Sequence, residues 1–180
     1  MPRLFVAIDL PEQQRQGLAA VCRGLTPDTR WTPESQIHLT LRFIGGVEVP
    51  LVQPIRKVLA DLRFRPFMLQ IKGLGVFPSR RQPNILWAGV AENLELINLQ
   101  GAIESSLVQL GFAPETRKYH PHCTVARLPR KLPRELLESY LERHGRFSAN
   151  AFLVSSFQLY SSMLTGKGAI HRVEETFGSD

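Results

Sequence analysis

The sequence IHLTLRFIGG spans residues 37–46 and HPHCTVARLP spans residues 120–129, and each places a His-x-Thr motif in a short apolar run. The four motif residues are His38, Thr40, His122 and Thr124. A chain with this composition is expected to contain roughly 0.2 His-x-Thr pairs by chance, so two of them indicate a duplicated unit. The interpretation of the whole sequence starts from this repeat.

Both motif stretches have the pattern of a β-strand, in which successive side chains point to opposite faces. The first strand would have a polar face made of His38, Thr40 and Arg42. Its other face would be apolar and made of Ile37, Leu39, Leu41 and Phe43. In the second strand His122 and Thr124 share one face, with Cys123 and Val125 opposite. If the two polar faces meet across a groove, two imidazoles and two hydroxyls come together.

Two imidazoles and two hydroxyls suit the chemistry of phosphate esters. One neutral imidazole can take a proton from water while a protonated one gives a proton to the leaving oxygen. Threonine hydroxyls can donate to phosphoryl oxygens, and a nearby arginine can neutralise the charge that develops. This mechanism needs no metal ion.

The histidines allow three other interpretations. A single His-x-Thr motif is most simply a structural histidine beside a β-forming threonine, and only the duplication argues against that reading. His120 and His122 lie at alternate strand positions and could both ligate zinc, but no Asp, Glu or Cys accompanies His38 on its face. A Ser-His-Asp hydrolase is weaker still, because no GxSxG motif is present.

The segments around the motifs alternate between strand and helix patterns. Helices are predicted near residues 11–25, 51–62, 92–110 and 133–144, and Pro54 should fall in a first turn or delay the start of the second helix. Two strand–helix sets, each with one motif strand, predict an α+β fold. Its two lobes would be related by a pseudo-two-fold, with antiparallel sheets facing a central groove. No linker separates them, so residues 1–180 are expected to form a single two-lobed domain.

The composition favours a polyanionic partner. The formal net charge is +6, and the basic residues are spread along the chain rather than gathered in a tail. No apolar stretch reaches the 18 or so residues of a membrane span and no cleavable leader pattern is present, so a cytoplasmic protein is expected. Cys22 and Cys123 lack metal-binding spacing and are expected to be reduced core thiols.

Three segments in their order, RWTPESQIHLTLRFIGG, GLGVFPSRRQPNILWAGV and YHPHCTVARL, make the chain similar to the RNA 2′,3′-cyclic phosphodiesterases. These are the LigT/ThpR-like members of the two-histidine phosphoesterases. The resemblance covers nearly the whole chain. It implies a bilobal pseudo-symmetric fold and metal-independent hydrolysis of a terminal 2′,3′-cyclic phosphate on RNA to a 2′-phosphate. Some members also perform 2′-5′ RNA ligation of tRNA halves, with a 5′-hydroxyl in the place of water.

The resemblance also implies a role for each motif residue. His38 is the acid for the departing 3′ oxygen, His122 the base for water, and Thr40 and Thr124 donate to the phosphate. Arg127 is implied as a phosphate contact, although strict alternation would turn it away from His122 unless a strand end or a bulge before Pro129 redirects it. By the same parity Arg42 lies on the face of His38 and is an alternative charge donor.

Recognition of the base is predicted less directly. Unpaired RNA ends are usually held on aromatic rings or arginine planes, for which the candidates are Phe43, Trp31, Tyr119 and Arg81. His171 stands where the family pattern suggests a tyrosine, and His120, His144 and His171 are given no role.

The expected partners are RNA strands with 2′,3′-cyclic phosphate ends, tRNA fragments and small cyclic nucleotides being the choices left open. No cofactor, metal ion or membrane is expected, and the chain is expected to act as a monomer. The alternative function is a non-catalytic module that binds RNA 3′ ends through the same groove.

Overall fold

The computed structural model describes residues 1–166 and 168–179 of the chain. Within them, strands and helices alternate along the sequence, as the apolar patterns predict. The strands are β1 (Arg3–Asp9), β2 (Arg30–Trp31), β3 (His38–Gly46), β4 (Phe67–Leu69), β5 (Ile71–Pro78), β6 (Pro83–Val90), β7 (His122–Arg127), β8 (Phe152–Val154), β9 (Ser156–Thr165) and β10 (Gly168–Gly178). The helices are α1 (Glu12–Val21), α2 (Val49–Ala60), α3 (Leu94–Gln109) and α4 (Arg134–His144).

Eight of the strands form one antiparallel sheet in the order β10-β9-β1-β3-β7-β6-β5, with the short β2 paired to β7. Strands β4 and β8 form a separate pair. The predicted α+β class is therefore confirmed. The two motif strands, β3 and β7, are neighbours at the centre of the sheet.

Within the sheet, the motif strands of the two lobes pair at one position. Strands β3 and β7 pair only where Leu39 lies opposite Cys123, whereas β3 pairs with β1 along most of its length. This pair joins the antiparallel strands of the two lobes into one continuous sheet. Because β3 and β7 share only this pair, each motif strand forms most of its hydrogen bonds within its own lobe, β3 with β1 and β7 with β6.

The helices cover one face of the sheet. One large apolar cluster contains Leu39 and Leu41 of β3, Cys123 and Val125 of β7, and buried side chains from all four helices. A second, small cluster on the opposite face consists of Phe5, Ala7 and Tyr160. We call the opposite face the motif face, since it is the one from which His38 and His122 project.

Helices α3 and α4 begin and end close to the predicted residues, whereas α1 ends at Val21 and not at the predicted Leu25. Helix α2 begins and ends slightly earlier than predicted. Pro54 lies inside α2, because the helix begins at Val49 with Pro50 in its first turn. The expectation that Pro54 delays the helix is therefore wrong. Because proline has no amide N–H, the Pro50 carbonyl lacks the hydrogen bond that residue 54 would donate. The helix tolerates this loss because Pro50 lies in the exposed first turn. After α3 the chain turns at Gly111, whose φ of 94° favours glycine.

Two remaining expectations concern cysteines and membranes. Cys22 and Cys123 are both free thiols, and burial raises the pKa of Cys22 to about 11. Among the described residues no helix has the length and apolar character needed to cross a membrane.

Candidate active site

The four motif residues surround the pair that joins the lobes. With Leu39 opposite Cys123, extending the antiparallel register by one residue each way places His38 beside Thr124 and Thr40 beside His122. Opposed residues in such a ladder have Cα atoms about 5 Å apart. An approximate two-fold axis through this pair would exchange the two histidines and the two threonines. The duplication seen in the sequence thus becomes one four-residue site.

Each motif histidine is held by the same local hydrogen bond. Nδ1 of His38 lies 2.7 Å from the carbonyl oxygen of Gln36, and Nδ1 of His122 lies 2.6 Å from that of His120. A carbonyl oxygen can only accept, so Nδ1 donates in both cases. Nε2 of each neutral imidazole is therefore left as the proton acceptor. In both rings, Nε2 is therefore the atom that can exchange a proton.

Burial disfavours the charged form of both imidazoles. It lowers the pKa of His38 below the ordinary value, and the positive charges of His171 and His122 lower it further, against the opposing effects of the Gln36 carbonyl and Asp9. Burial also lowers the pKa of His122, the hydrogen bond to the His120 carbonyl opposes this effect, and the charge of the His120 ring adds to it. Both rings are thus biased toward the neutral form until an anion enters.

Aromatic rings surround His38. The Phe5 ring lies 5.0 Å from the imidazole and Tyr160 lies 5.9 Å away, with the two aromatic rings stacked on each other. The Tyr160 hydroxyl donates to Asp9 at 2.5 Å. His171 approaches His38 edge-on at 5.4 Å, and its buried Nδ1 has no hydrogen-bond partner in the part of the chain that the structure describes. His171 is therefore part of the site, although the sequence suggested no role for it.

A matching aromatic group surrounds His122. Phe77 lies edge-on at 5.0 Å, and His120 lies 6.2 Å away and also contacts Trp87. The indole of Trp87 lies across Gly75 of the neighbouring strand, where a Cβ atom would overlap its ring. Glycine at position 75 is therefore required for the indole to lie flat on the motif face.

Two β-bulges decide which later residues reach the motif face. In β3, Thr40 pairs with Ala7 but Arg42 pairs with Val6, so Leu41 is skipped. In β7, Thr124 pairs with Trp87 but Ala126 pairs with Leu86, so Val125 is skipped. Each bulge shifts the alternation by one residue. The fifth residue after each motif histidine, Phe43 or Arg127, is thereby turned to the motif face.

The bulge in β3 corrects the parity argument for Arg42 and Phe43. Phe43 lies opposite Phe5, with their rings 5.7 Å apart, and is 64% exposed. Arg42 instead lies on the helix-covered face, where it pairs with Glu104 and donates to the carbonyls of Phe43 and Ala113 at 2.7 and 2.6 Å. Arg42 therefore fastens the loop after α3 to β3 and is not directed at the motif face.

For Arg127 the predicted bulge is present. The residue lies opposite Ile85, is exposed, and shares the face of Thr124 and His122. Neither motif threonine hydroxyl has a hydrogen-bond partner among the described residues, so both are free to donate to a bound group. The structure thus brings together on one face the two histidines, the two threonines, Arg127 and Phe43.

The other stacking candidates differ in position. Trp31 packs against the apolar cluster near Tyr140, with ring centroids 6.2 Å apart. Tyr119 packs against the same cluster and donates to the backbone oxygen of Thr40 at 2.9 Å. Arg81 is exposed in the loop between β5 and β6. Of the aromatic candidates, Phe43 alone is freely accessible on the motif face.

The zinc alternative lacks a third ligand in the part of the chain that the structure describes. No three His, Cys, Asp or Glu side chains gather there in a group that could hold a metal ion. His144, the remaining histidine, lies against Tyr140 with ring centroids 4.8 Å apart, at the end of α4.

Several residues of the site escaped the sequence analysis. Phe5, Tyr160, Phe77 and Trp87 all contact a site imidazole, yet each lies far from its motif in sequence. Phe5 and Ala7 carried a usable signal, since the uninterrupted apolar run in RLFVAIDL indicates a strand with two buried faces. One face of such a strand packs against the helices, so other side chains must cover its second face, and in the structure Tyr160 lies there.

Comparison with known proteins gives a consistent result. The family model described as LigT like Phosphoesterase matches residues 8–87 and 89–171, with one motif in each stretch. An RNA 2′,3′-cyclic phosphodiesterase of Aeropyrum pernix is 37% identical over 142 residues, covering 77% of this chain and 80% of that protein. One of Methanothermobacter thermautotrophicus is 31% identical over 180 residues, with 97% of both chains covered. The crystal structure of E. coli LigT without ligand superposes with a TM-score of 0.78 at 23% identity, covering 99% of this chain and 98% of that one.

Proposed function

The chain belongs to the LigT-like phosphoesterase family, and from this membership we propose that it hydrolyses the 2′,3′-cyclic phosphate at the end of an RNA strand. The observation that carries the proposal is the shared Nδ1–carbonyl bond, which leaves Nε2 free on two imidazoles of one face. Relatives of this chain are named for the same reaction. A module that only binds RNA ends has no need for two such imidazoles.

We assign the proton transfers as follows. Nε2 of neutral His122 takes a proton from water as the water oxygen bonds to phosphorus, and the bond from phosphorus to the 3′ oxygen breaks. Nε2–H of protonated His38 gives its proton to that oxygen. The hydroxyls of Thr40 and Thr124 donate to the non-bridging oxygens, and Arg127 offsets the charge of the five-coordinate phosphorus.

The other parts of the proposal follow from the same site. We propose that the chain acts as a single two-lobed domain and as a monomer, since each lobe supplies one histidine and one threonine. Neither a cofactor nor a metal ion enters the assigned steps. A cytoplasmic location, and the use of tRNA fragments or small cyclic nucleotides as substrates, remain proposals.

The direct test is turnover with identification of the product. Incubated in EDTA with an oligoribonucleotide that ends in a 2′,3′-cyclic phosphate, the protein is expected to yield mainly the 2′-phosphate. The reason is that His38 is assigned to the 3′ oxygen and no step uses a metal ion. Chromatography against authentic 2′- and 3′-monophosphates measures the outcome.

Each other outcome of this assay removes a particular part of the proposal. A 3′-phosphate as main product would reverse the assigned orientation but keep the two-histidine mechanism. Loss of turnover in EDTA, with recovery on adding zinc, would replace that mechanism with a metal site at His120 and His122. Binding without any product would favour the non-catalytic module.

The pH dependence of kcat/KM follows from the pKa shifts. The free enzyme needs His122 neutral and His38 protonated, and burial lowers the pKa of both. We therefore expect a bell-shaped profile that peaks below about pH 6.5 and falls above it as the acid loses its proton. The falling limb of kcat should lie at higher pH, because the bound phosphate anion favours the imidazolium. Measurements from pH 4.5 to 8.5 would contradict the pair if the profile were flat or peaked above pH 7.5.

A further inference from the structure

The short strand β2 places a second arginine beside Arg127. Arg30 lies directly opposite Arg127 in the antiparallel pairing of β2 with β7. Directly opposed residues have Cα atoms about 5 Å apart and side chains on the same face of the sheet. Because the bulge at Val125 turns Arg127 to the motif face, Arg30 projects from that face too. Both side chains are exposed.

This pair of like charges has no internal compensation. Among the described residues, neither Arg30 nor Arg127 has a carboxylate within ion-pair distance, whereas Arg42, Arg56 and Arg134 each pair with a glutamate. Like charges directly opposite each other on neighbouring strands destabilise a sheet. The described residues therefore offer no partner that explains why two arginines lie opposite each other here.

The backbone of β2 is held firmly in this position. Thr29, the residue before Arg30, is buried, and Trp31, the residue after it, packs inward near Tyr140. The amide of Thr32 donates to the carbonyl of Val125 at 2.9 Å. Because both neighbours of Arg30 are anchored on the core side, its side chain is presented outward at a fixed place.

The corresponding position in the other lobe is not basic. Five residues after its motif histidine, β3 has the exposed Phe43 where β7 has Arg127. The site therefore has one apolar rim and one doubly cationic rim. A substrate with a single phosphate can use one guanidinium of the cationic rim, while a chain of phosphates can use both.

We propose that Arg30 binds the phosphodiester that precedes the terminal nucleotide, while Arg127 contacts the reacting phosphate. This proposal rests on the proposed function. Arg30 lies on the strand next to that of Arg127, so a phosphate held by Arg30 would neighbour the one held by Arg127. The enzyme then prefers RNA strands with cyclic ends to free nucleoside 2′,3′-cyclic phosphates. Arg30 is a specificity residue and takes no part in the proton transfers.

The test compares two substrates in one variant. Arg30→Ala is expected to lower kcat/KM about 5- to 20-fold for a hexaribonucleotide ending in a 2′,3′-cyclic phosphate, because one charge-assisted contact is lost. For 2′,3′-cyclic AMP, kcat/KM should stay within about two-fold of the parent, because the substrate has no preceding phosphate. With the hexanucleotide, the slope of log kcat/KM against log salt should become shallower by about 0.7, the loss of one phosphate contact.

Matched variants separate this role from a general effect of charge. Arg23→Ala removes another exposed arginine, after α1, and should leave both substrates unchanged, while Arg30→Lys should recover part of the hexanucleotide activity. Equal losses on both substrates, or no loss on the hexanucleotide, would overturn the role of Arg30. If the parent protein turned over neither substrate, the proposed function itself would fail instead.

Discussion

Replacing either motif histidine with alanine, as His38→Ala or His122→Ala, is expected to lower kcat by about 10²- to 10⁴-fold. Each variant removes one Nε2 and so one of two proton transfers that occur around the same phosphorus. The two imidazoles act in one step, so the double variant should be little worse than the poorer single variant. Single-turnover rates on a cyclic-phosphate RNA measure the effect.

Folding must be shown to be intact for these variants to be informative. Both rings are only partly buried on the motif face, so thermal unfolding should change little. His144→Gln is a suitable control, since this histidine lies at the end of α4, away from the motif face. Near-parent turnover in either motif variant, with preparations free of host phosphodiesterase, would remove that histidine from the mechanism.

Thr40→Val and Thr124→Val are each expected to lower kcat by about 10²-fold. Valine keeps the shape and the β-branching of threonine but lacks the hydroxyl, so the change removes one donor to the charge that develops on the phosphoryl oxygens. Both hydroxyls are free of internal hydrogen bonds in the described residues, which leaves their donors to the substrate. The measurement is kcat at saturating substrate for both variants.

The serine variants distinguish chemistry from packing. Thr40→Ser and Thr124→Ser retain the hydroxyl and lose a methyl group, so they should keep activity within about ten-fold of the parent. If serine and valine variants lost the same activity, the threonines would be structural β-formers. A loss confined to one threonine would show that the two-fold relation of the site does not extend to phosphate binding.

Local patterns were enough to locate the motif strands and most helices. The alternation in IHLTLRFIGG and the helical spacing of leucines both survive folding, because each buries one face against the same core. The two-fold relation of the motifs also followed from the sequence, since a repeated motif implies a repeated environment. These features depend on residues that are close together in the chain.

The bulges at Leu41 and Val125 show where such reasoning stops. A bulge depends on how two strands are paired, and no residue type in LTLRF distinguishes a bulged strand from a regular one. Strict alternation therefore predicted Arg42 on the motif face and Phe43 on the helix-covered face, and both predictions are wrong. For Arg127, a redirection of the strand had to be assumed. The position of Arg30 opposite Arg127 could not be predicted for a related reason, because a two-residue strand has no periodicity to detect.

Because Nδ1 of both His38 and His122 is bonded to a backbone carbonyl, the state of the enzyme between turnovers depends on the proton at Nε2 of each ring. On the proposed assignment, one hydrolysis leaves a proton on Nε2 of His122 and none on Nε2 of His38, while Nδ1 of each ring stays bonded to its carbonyl. That form of the enzyme is primed to run the ring-opening backwards, since each imidazole now carries the protonation state of its counterpart. Each cycle therefore ends with the protonation states of the two histidines exchanged. The enzyme must exchange one proton with solvent at each histidine before it can open another ring, a resetting step that a site with a single acid–base residue would not require.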